Sequence, residues 1–501
     1  MSAAQRSQYE KFIIISPDGQ NRADINDAQF RVTSFDYYEN ILSPFITGTV
    51  MITSTSGAAE SKNDTQNRLG SLHSSLPLRA GCQMLVKIKN QIGKGLDFSV
   101  ENDEYKKLYV TDVQVISKSS TSENLKIRFS SRTAWLNETN KITKRYTGKI
   151  SDSVKKILKD ELSFEDDRIK IDPSSNSYSF IGMNKRPLDL IAMLCIRSVP
   201  ANIANPGYFF YETRSGFNYI SADTLITQDP FERVYKYTGQ NISSNQKRDD
   251  SNDYKVSAFD TLKDQNLLAQ IRSGVYSSKN VFFNPSTLGF TEIDITVEDK
   301  KLTQDPKFSS LGKKESPPPF LFGGKGGKRY HRIQSAIFDV GAEAATTDVN
   351  NSPELYYAAG STRYNILFSQ VHSATIPCNT DLEAGHTLKL EIESNSKDKE
   401  QGPDQVQSGN YIIQALHHHF EPNKSTTSLN LIRDSYGMNF TKSPSAPAVS
   451  PPKSSAKPSP KPVPPSKPKP KAAVVVKPQP GPDDGTEAQG GKMNDVDVSW
   501  Y

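Results

Sequence analysis

Leu78-Arg79-Ala80-Gly81 and Leu382-Glu383-Ala384-Gly385 open two stretches that follow one pattern. Behind the first come Met84, Val86 and Ile88, then Tyr109-Val110; behind the second come Leu388, Leu390 and Ile392, then Tyr411-Ile412-Ile413. The glycine-to-tyrosine spacing is 28 residues in one and 26 in the other. Each stretch closes on another strand-like run, Leu125-Lys126-Ile127-Arg128-Phe129 or Leu429-Asn430-Leu431. A glycine ahead of such a run answers to a tight turn with φ > 0. Apolar residues at every second position then set one strand face on a core. The pattern predicts two copies of one antiparallel β-domain.

A chain of 501 residues has room for three or four domains. Its three cysteines, Cys82, Cys195 and Cys378, lie far apart, which suits a reducing compartment and offers no disulfide framework or metal cluster. Phe12-Ile13-Ile14-Ile15 is too short for a signal peptide core and is closed by Pro17. No apolar run reaches the length of a membrane span. The net charge of +5 is a local effect. Residues 443–482 hold seven lysines and no acid, and removing seven from 61 basic residues leaves 54 against 56 acidic ones. The body of the chain is therefore close to neutral, which excludes a nucleic-acid-binding surface driven by bulk charge.

Residues 1–135 read as a first β-barrel domain, with strands separated by turns such as Ser16-Pro17-Asp18-Gly19. Residues 136–235 read as a small α/β domain. Ser151 is placed to N-cap a helix carrying Val154, Ile157, Leu158 and Leu162 on one face. Pro187 suits the first turn of a second helix with Leu188, Ile191, Ala192 and Cys195 inward. A hairpin follows, turning at Arg214-Ser215-Gly216. Residues 236–283 and 360–435 read as a second β-barrel domain, including a helix over 261–272 that ends near Gly274. Residues 284–359 read as an irregular insertion containing Pro317-Pro318-Pro319 and the glycine run at 323–327. Residues 436–482 form a Pro/Lys-rich linker, with 14 prolines in 443–482; such a composition cannot offset its ordering entropy by burial. Residues 483–501 are a C-terminal peptide. In it Val496, Val498 and Trp500 alternate with polar residues and would share one strand face. An extended peptide of that pattern can add itself to an open sheet edge, so these three residues are the candidate partner-docking site.

Other candidate chemistry is thin. On a strand, His417, His419 and Glu421 share a face, a conceivable three-ligand metal set. The set ends beside a turn, lacks a fourth ligand, and has Val115 in the place of His417 in the first copy. These histidines are accordingly read as surface or interface residues, and no metal or cofactor is assigned. Residues 323–328 lack the Gly-x-x-x-x-Gly-Lys-Ser/Thr spacing of a phosphate loop. Asp166-Asp167 and the pair Glu101 and Asp103 sit in polar loops without an apolar pocket. Cys82 and Cys195 lie in apolar patterns that suit inert core thiols. No motif argues for catalysis.

The order of parts resembles the baseplate hub proteins of T4-like contractile-tailed bacteriophages. The residues that carry the resemblance are Ser34-Phe35-Asp36-Tyr37-Tyr38-Glu39-Asn40-Ile41-Leu42-Ser43-Pro44-Phe45 and Tyr146-Thr147-Gly148-Lys149-Ile150 with the helix behind it. Arg186-Pro187-Leu188-Asp189 with its helix and aromatic hairpin, and Thr375-Ile376-Pro377-Cys378 with the last two strands, complete it. The Pro/Lys tail departs from that family. The resemblance implies a mainly β (α+β) chain with two duplicated tube-like antiparallel barrels and a non-enzymatic virion role in the tail baseplate, assembled in the host cytoplasm. It implies a homotrimer whose pseudo-six-fold ring joins a six-fold tail tube to a three-fold central spike and provides a conduit for DNA. Implied partners are the spike protein and tail tube or tube-initiator proteins, with wedge and tape measure proteins as further candidates. Sequence-specific nucleic-acid binding and a membrane span are not expected. The competing readings are a tail-associated enzyme such as a cell-wall hydrolase, or the hub of a related contractile injection system.

Overall fold

A computed structural model of the chain describes residues 7–55, 59–60, 69–70, 72–76, 78–100, 103–201, 206–238, 253–264, 266–274, 277–285, 288–296, 311, 332–337, 356–394 and 403–435. The linker, the peptide with Val496, Val498 and Trp500, and most of 284–359 lie outside these residues. In chain order the first β part contains β1 (Ser7–Ile15), β2 (Phe30–Asn40), β3 (Thr47–Thr55), β4 (Gln83–Asn90), β5 (Leu108–Lys118) and β6 (Ser122–Ser131). Helices α1 (Ile150–Asp160) and α2 (Pro187–Arg197), the hairpin β7 (Tyr208–Thr213) and β8 (Gly216–Ser221), and α3 (Ala222–Thr227) follow. The second β part has β9 (Ala258–Lys263), α4 (Leu267–Ser273), α5 (Tyr357–Leu367), β10 (Gln370–Pro377), β11 (Thr387–Ile392), β12 (Gly409–Phe420) and β13 (Ser425–Arg433).

Hydrogen bonding gives the duplication a stringent form. The first part pairs in the order β2-β3-β6-β5-β4, every pair antiparallel. The second pairs in the order β9-β10-β13-β12-β11, again all antiparallel. The turn glycines also correspond. Gly81 and Gly385 have φ of 93° and 87°, a region that favours glycine. Gly81 N–H donates to the Val110 carbonyl, and Val110 N–H returns a bond to the Cys82 carbonyl. Gly385 N–H donates to the Ile413 carbonyl, and Ile413 N–H returns a bond to that of His386. One residue later each copy carries the same β-bulge, at Thr111 against β6 and at Gln414 against β13. These markers shift the correspondence by one from that read off the tyrosines. Tyr109 answers to Ile412, and Gln114, not Val115, stands where His417 stands. The tyrosines mislead because the two connections between glycine and bulge differ by one residue in length.

The two parts are continuous. β2 pairs antiparallel with β12, so both copies belong to one sheet of 14 strands among the described residues. The sheet curls back on itself: Asn90, at the end of β4, donates to the Cys378 carbonyl at 2.6 Å, and Gly95 N–H donates to Thr380 Oγ1 at 2.9 Å. One apolar core runs through both copies. Phe35 sits at its centre, 5.1 Å from the Phe129 ring of the first copy and 6.2 Å from Phe420 of the second. Burying each such ring contributes about 2 kcal/mol. The architecture is mainly β with large antiparallel sheets, as the sequence implied.

Between the copies, α1, α2 and the β7–β8 hairpin enclose their own core, which includes Ile150, Val154, Ile157, Leu158, Ile191, Leu194 and Phe217. Pro187 is at the start of α2 as expected. The α1 helix differs from its sequence reading: Lys149 takes the N-cap position, and Ser151 N–H instead donates to Ser174 Oγ at 3.0 Å. The helix expected over 261–272 is also corrected. Its first part is strand β9, because pairing with β10 places Thr261 opposite His372 and overrides local preference. Only α4 is helical, started by the Asn266 side chain, which accepts from Ala269 N–H at 3.0 Å, and stopped by Gly274 at φ 77°. Residues 284–359 are not wholly irregular: Gly289–Thr296 and Arg332–Ile337 flank Ser277–Asn284 in a separate three-stranded sheet.

Candidate functional site

The seam between the copies carries polar side chains on both faces of the sheet. Strand alternation sends Phe35, Tyr37 and Glu39 of β2 inward with Leu416, His418 and Phe420 of β12. Asp36, Tyr38, His417 and His419 take the other face. Register places His417 opposite Tyr38 and His419 opposite Asp36.

On the outer face, Asp36 Oδ1 lies 2.8 Å from His417 Nε2 and 2.5 Å from His419 Nδ1. His419 Nε2 is 3.1 Å from Glu421 Oε1. The Tyr38 ring stacks on His417 with centroids 4.4 Å apart. Burial alone would raise the Asp36 carboxyl, but the hydrogen bonds from the two imidazoles outweigh it and hold it below its ordinary range. Burial disfavours a charged His419, yet the bonds to Asp36 and Glu421 raise it overall. The structure thus brings His417, His419 and Glu421 together, as their spacing suggested. It adds Asp36, which sequence reading missed. Asp36 is 381 residues away from His417, and only the β2–β12 pairing makes it a neighbour.

On the inner face, the Glu39 carboxylate joins all three parts of the chain. It accepts from Tyr37 Oη at 2.7 Å, from Arg214 N–H in the β7–β8 turn at 2.8 Å, and from Ala384 N–H of the second copy at 2.9 Å. The Arg214 guanidinium in turn reaches Glu383 Oε1 at 3.2 Å and the Gly95 carbonyl at 3.0 Å. Glu212 makes a second tie, accepting from Ile46 N–H at 3.1 Å, Ser131 Oγ at 2.6 Å and Thr133 Oγ1 at 3.0 Å. These are structural junctions: each carboxylate is enclosed and surrounded by protein donors.

Burial, with the Glu383 charge second, pushes Glu39 up to about 8, and burial pushes Glu212 up to about 7. Burial lowers His418 to about 3 and His372 to about 4, and it lowers His386 as well. The signs oppose. As pH falls from 8 to 6.5 the folded chain takes up the Glu39 proton and the unfolded chain does not, which adds stability of about 2 kcal/mol. Below pH 6.5 the unfolded chain protonates His418 and His372, which the folded chain keeps neutral, and this opposes the gain from the two carboxylates. Denaturant unfolding is expected to show stability that falls as pH rises from about 6.5 through 8. Glu39→Gln is expected to flatten the alkaline limb; stability that climbs steadily above pH 6.5 would contradict the assignment.

The remaining candidates have structural settings. Asp166 pairs with Lys155 at 2.9 Å and Lys159 at 2.6 Å on the surface. Asp103 holds Arg168 at 3.0 Å. The three cysteines are buried thiols. Among the described residues no helix is long and apolar enough to cross a membrane.

No protein-family model matches the chain, and none of the curated proteins matches it. Solved structures do resemble it. The tail protein from Neisseria meningitidis MC58 is 11% identical with a TM-score of 0.45, over 85% of this chain and 96% of that one. The 43 kDa tail protein of prophage MuSo2 from Shewanella oneidensis is 10% identical with a TM-score of 0.46, over 85% and 98%. The E. coli c3393 protein, a component of the type VI secretion system, is 10% identical with a TM-score of 0.37, over 82% and 77%. These neighbours are tail and type VI secretion proteins.

Proposed function

We propose that the chain is a structural subunit of a tail baseplate hub: a homotrimer that joins a six-fold tube to a three-fold spike and leaves a conduit for DNA. The observation that carries this reading is the identical five-strand order in both copies, with matching glycine turns and matching bulges. Three copies of a chain holding two equivalent modules supply six similar modules in a three-fold ring, which is what a junction between those symmetries requires. The internal polar side chains serve that role by fixing the two modules to each other. The proposed partners are a second and third copy, the spike, and tube or tube-initiator proteins, with wedge and tape measure proteins beyond them. No catalytic role is proposed. The hub of another contractile injection system would satisfy the same geometry.

The Pro/Lys linker and Val496, Val498 and Trp500 are proposed as a tethered docking peptide for a neighbouring tail protein. One comparison tests both claims. The full chain and a variant lacking residues 494–501 are each expected to run at three times the 55.6 kDa chain mass, alone or with the spike protein. Only the full chain is expected to enter assembled tails. A monomer of either form overturns the hub reading, and normal tail assembly by the shortened form overturns the docking claim alone.

A further inference from the structure

We infer that Asp36, His417 and His419 form a binding site for a divalent transition-metal ion, placed as a clasp across the seam between the two β copies. The three ligand atoms lie within 4.8 Å of one another. Two histidines two apart on β12 and the residue directly opposite on β2 make a compact triangle on one sheet face, with its open side toward solvent. Two imidazoles and one carboxylate are the donor set that suits zinc, cobalt, nickel, copper and ferrous ions, and they leave further coordination positions for water. Hard oxygen-seeking ions such as calcium and magnesium do not suit two nitrogen donors.

The surroundings support ligation beyond the triangle. His419 presents Nδ1 to Asp36 while its Nε2 is 3.1 Å from Glu421 Oε1. A carboxylate on the far ring nitrogen is the arrangement that fixes a ligating histidine in one tautomer and raises its basicity. Tyr38 stacks on His417 at 4.4 Å and holds the second ring in its plane. The side chains of Asp36, His417 and His419 are 14%, 30% and 30% exposed, so an ion has access from solvent. Metal–nitrogen distances near 2.0–2.1 Å require ligand atoms roughly 3.2–3.5 Å apart in a tetrahedral site. The present separations of 2.8 and 2.5 Å to Asp36 Oδ1 therefore need only a small opening. Entry of the ion displaces any proton that the imidazoles share with Asp36, and it draws the proton-free form of each ring into ligation. Gln114 stands at the equivalent of His417 in the first copy, so the site is expected once per chain and not twice. This reading replaces the metal-free assignment of the histidines, because that assignment lacked Asp36.

The test uses the full chain stripped with EDTA at pH 7.5. On adding Zn2+ or Co2+ and desalting, one equivalent of metal per chain is expected, with a ligand-field absorption for the cobalt form. Cu2+ loaded at one equivalent is expected to show two nitrogen ligands by electron paramagnetic resonance. Glu421→Gln is expected to weaken Zn2+ binding by about tenfold or more. The double variant His417→Gln, His419→Gln is expected to bind less than a tenth of an equivalent. Retained binding in that variant, sub-stoichiometric binding by the unaltered chain, or a copper spectrum without two nitrogens would each overturn the site. The copper spectrum decides the matter even where the double variant does not fold.

Discussion

Arg363→Met is expected to lower the unfolding free energy by about 3–5 kcal/mol, the range for removing one partner of a buried ion pair. Arg363 lies on α5 and is 2% exposed. Its Nη2 meets Asp223 Oδ1 of α3 at 2.5 Å, and its Nη1 is 3.6 Å from Asp434 Oδ2, just past β13. Asp223 and Asp434 are also buried. Methionine fills much of the volume but removes the guanidinium that faces both enclosed carboxylates. The loss should therefore be larger than that of a surface pair, which is typically below about 1 kcal/mol. The double variant Arg363→Met, Asp223→Asn is expected to recover part of the loss, because it removes one of the two buried negative charges that faced Arg363. Chemical denaturation of the three proteins measures this, and an Arg363→Met loss under about 1 kcal/mol would contradict it.

Gly385→Ala and Gly81→Ala are expected to differ sharply despite occupying the same turn. Both glycines have positive φ, so alanine costs about 1 kcal/mol in backbone strain at either. At Gly81 an added Cβ would meet nothing nearer than Pro17, at 3.8 Å. At Gly385 it would lie 2.1 Å from the Tyr211 hydroxyl oxygen and 2.8 Å from the ring carbon that bears it. Tyr211 is 2% exposed on β7 and is not free to withdraw. Overpacking adds about 1–3 kcal/mol, so Gly385→Ala should cost roughly 2–4 kcal/mol and Gly81→Ala about 1. The difference arises because only the second copy lays its turn against the α/β hairpin. Equal losses at the two sites would show that this packing is not tight.

Much of the fold was legible because its signals are local. The Gly81 and Gly385 turns, the Arg214-Ser215-Gly216 hairpin, Pro187 at the start of α2 and Gly274 at the end of α4 each depend on a few adjacent residues. What sequence reading missed is set by pairing between distant strands. Nothing near Asp36 announces His419, and nothing near Glu39 announces Arg214 or Ala384, until β2 and β12 are hydrogen-bonded. The one-residue misplacement of Val115 has the same origin. The Thr111 and Gln414 bulges mark the true correspondence, and a bulge is a property of two strands together. The helix expected over 261–272 gave way for a related reason: a strand edge offered by β10 outweighs a weak local preference.

The hub assignment stands or falls on how many modules surround the axis. Single-particle images of the purified full chain, alone or with the spike protein, measure this directly. The expected result is a three-fold particle whose wall contains six similar β-modules, two from each chain, around an open channel. A monomer, a two-fold particle, or a three-fold particle in which only one module per chain enters the wall would contradict it.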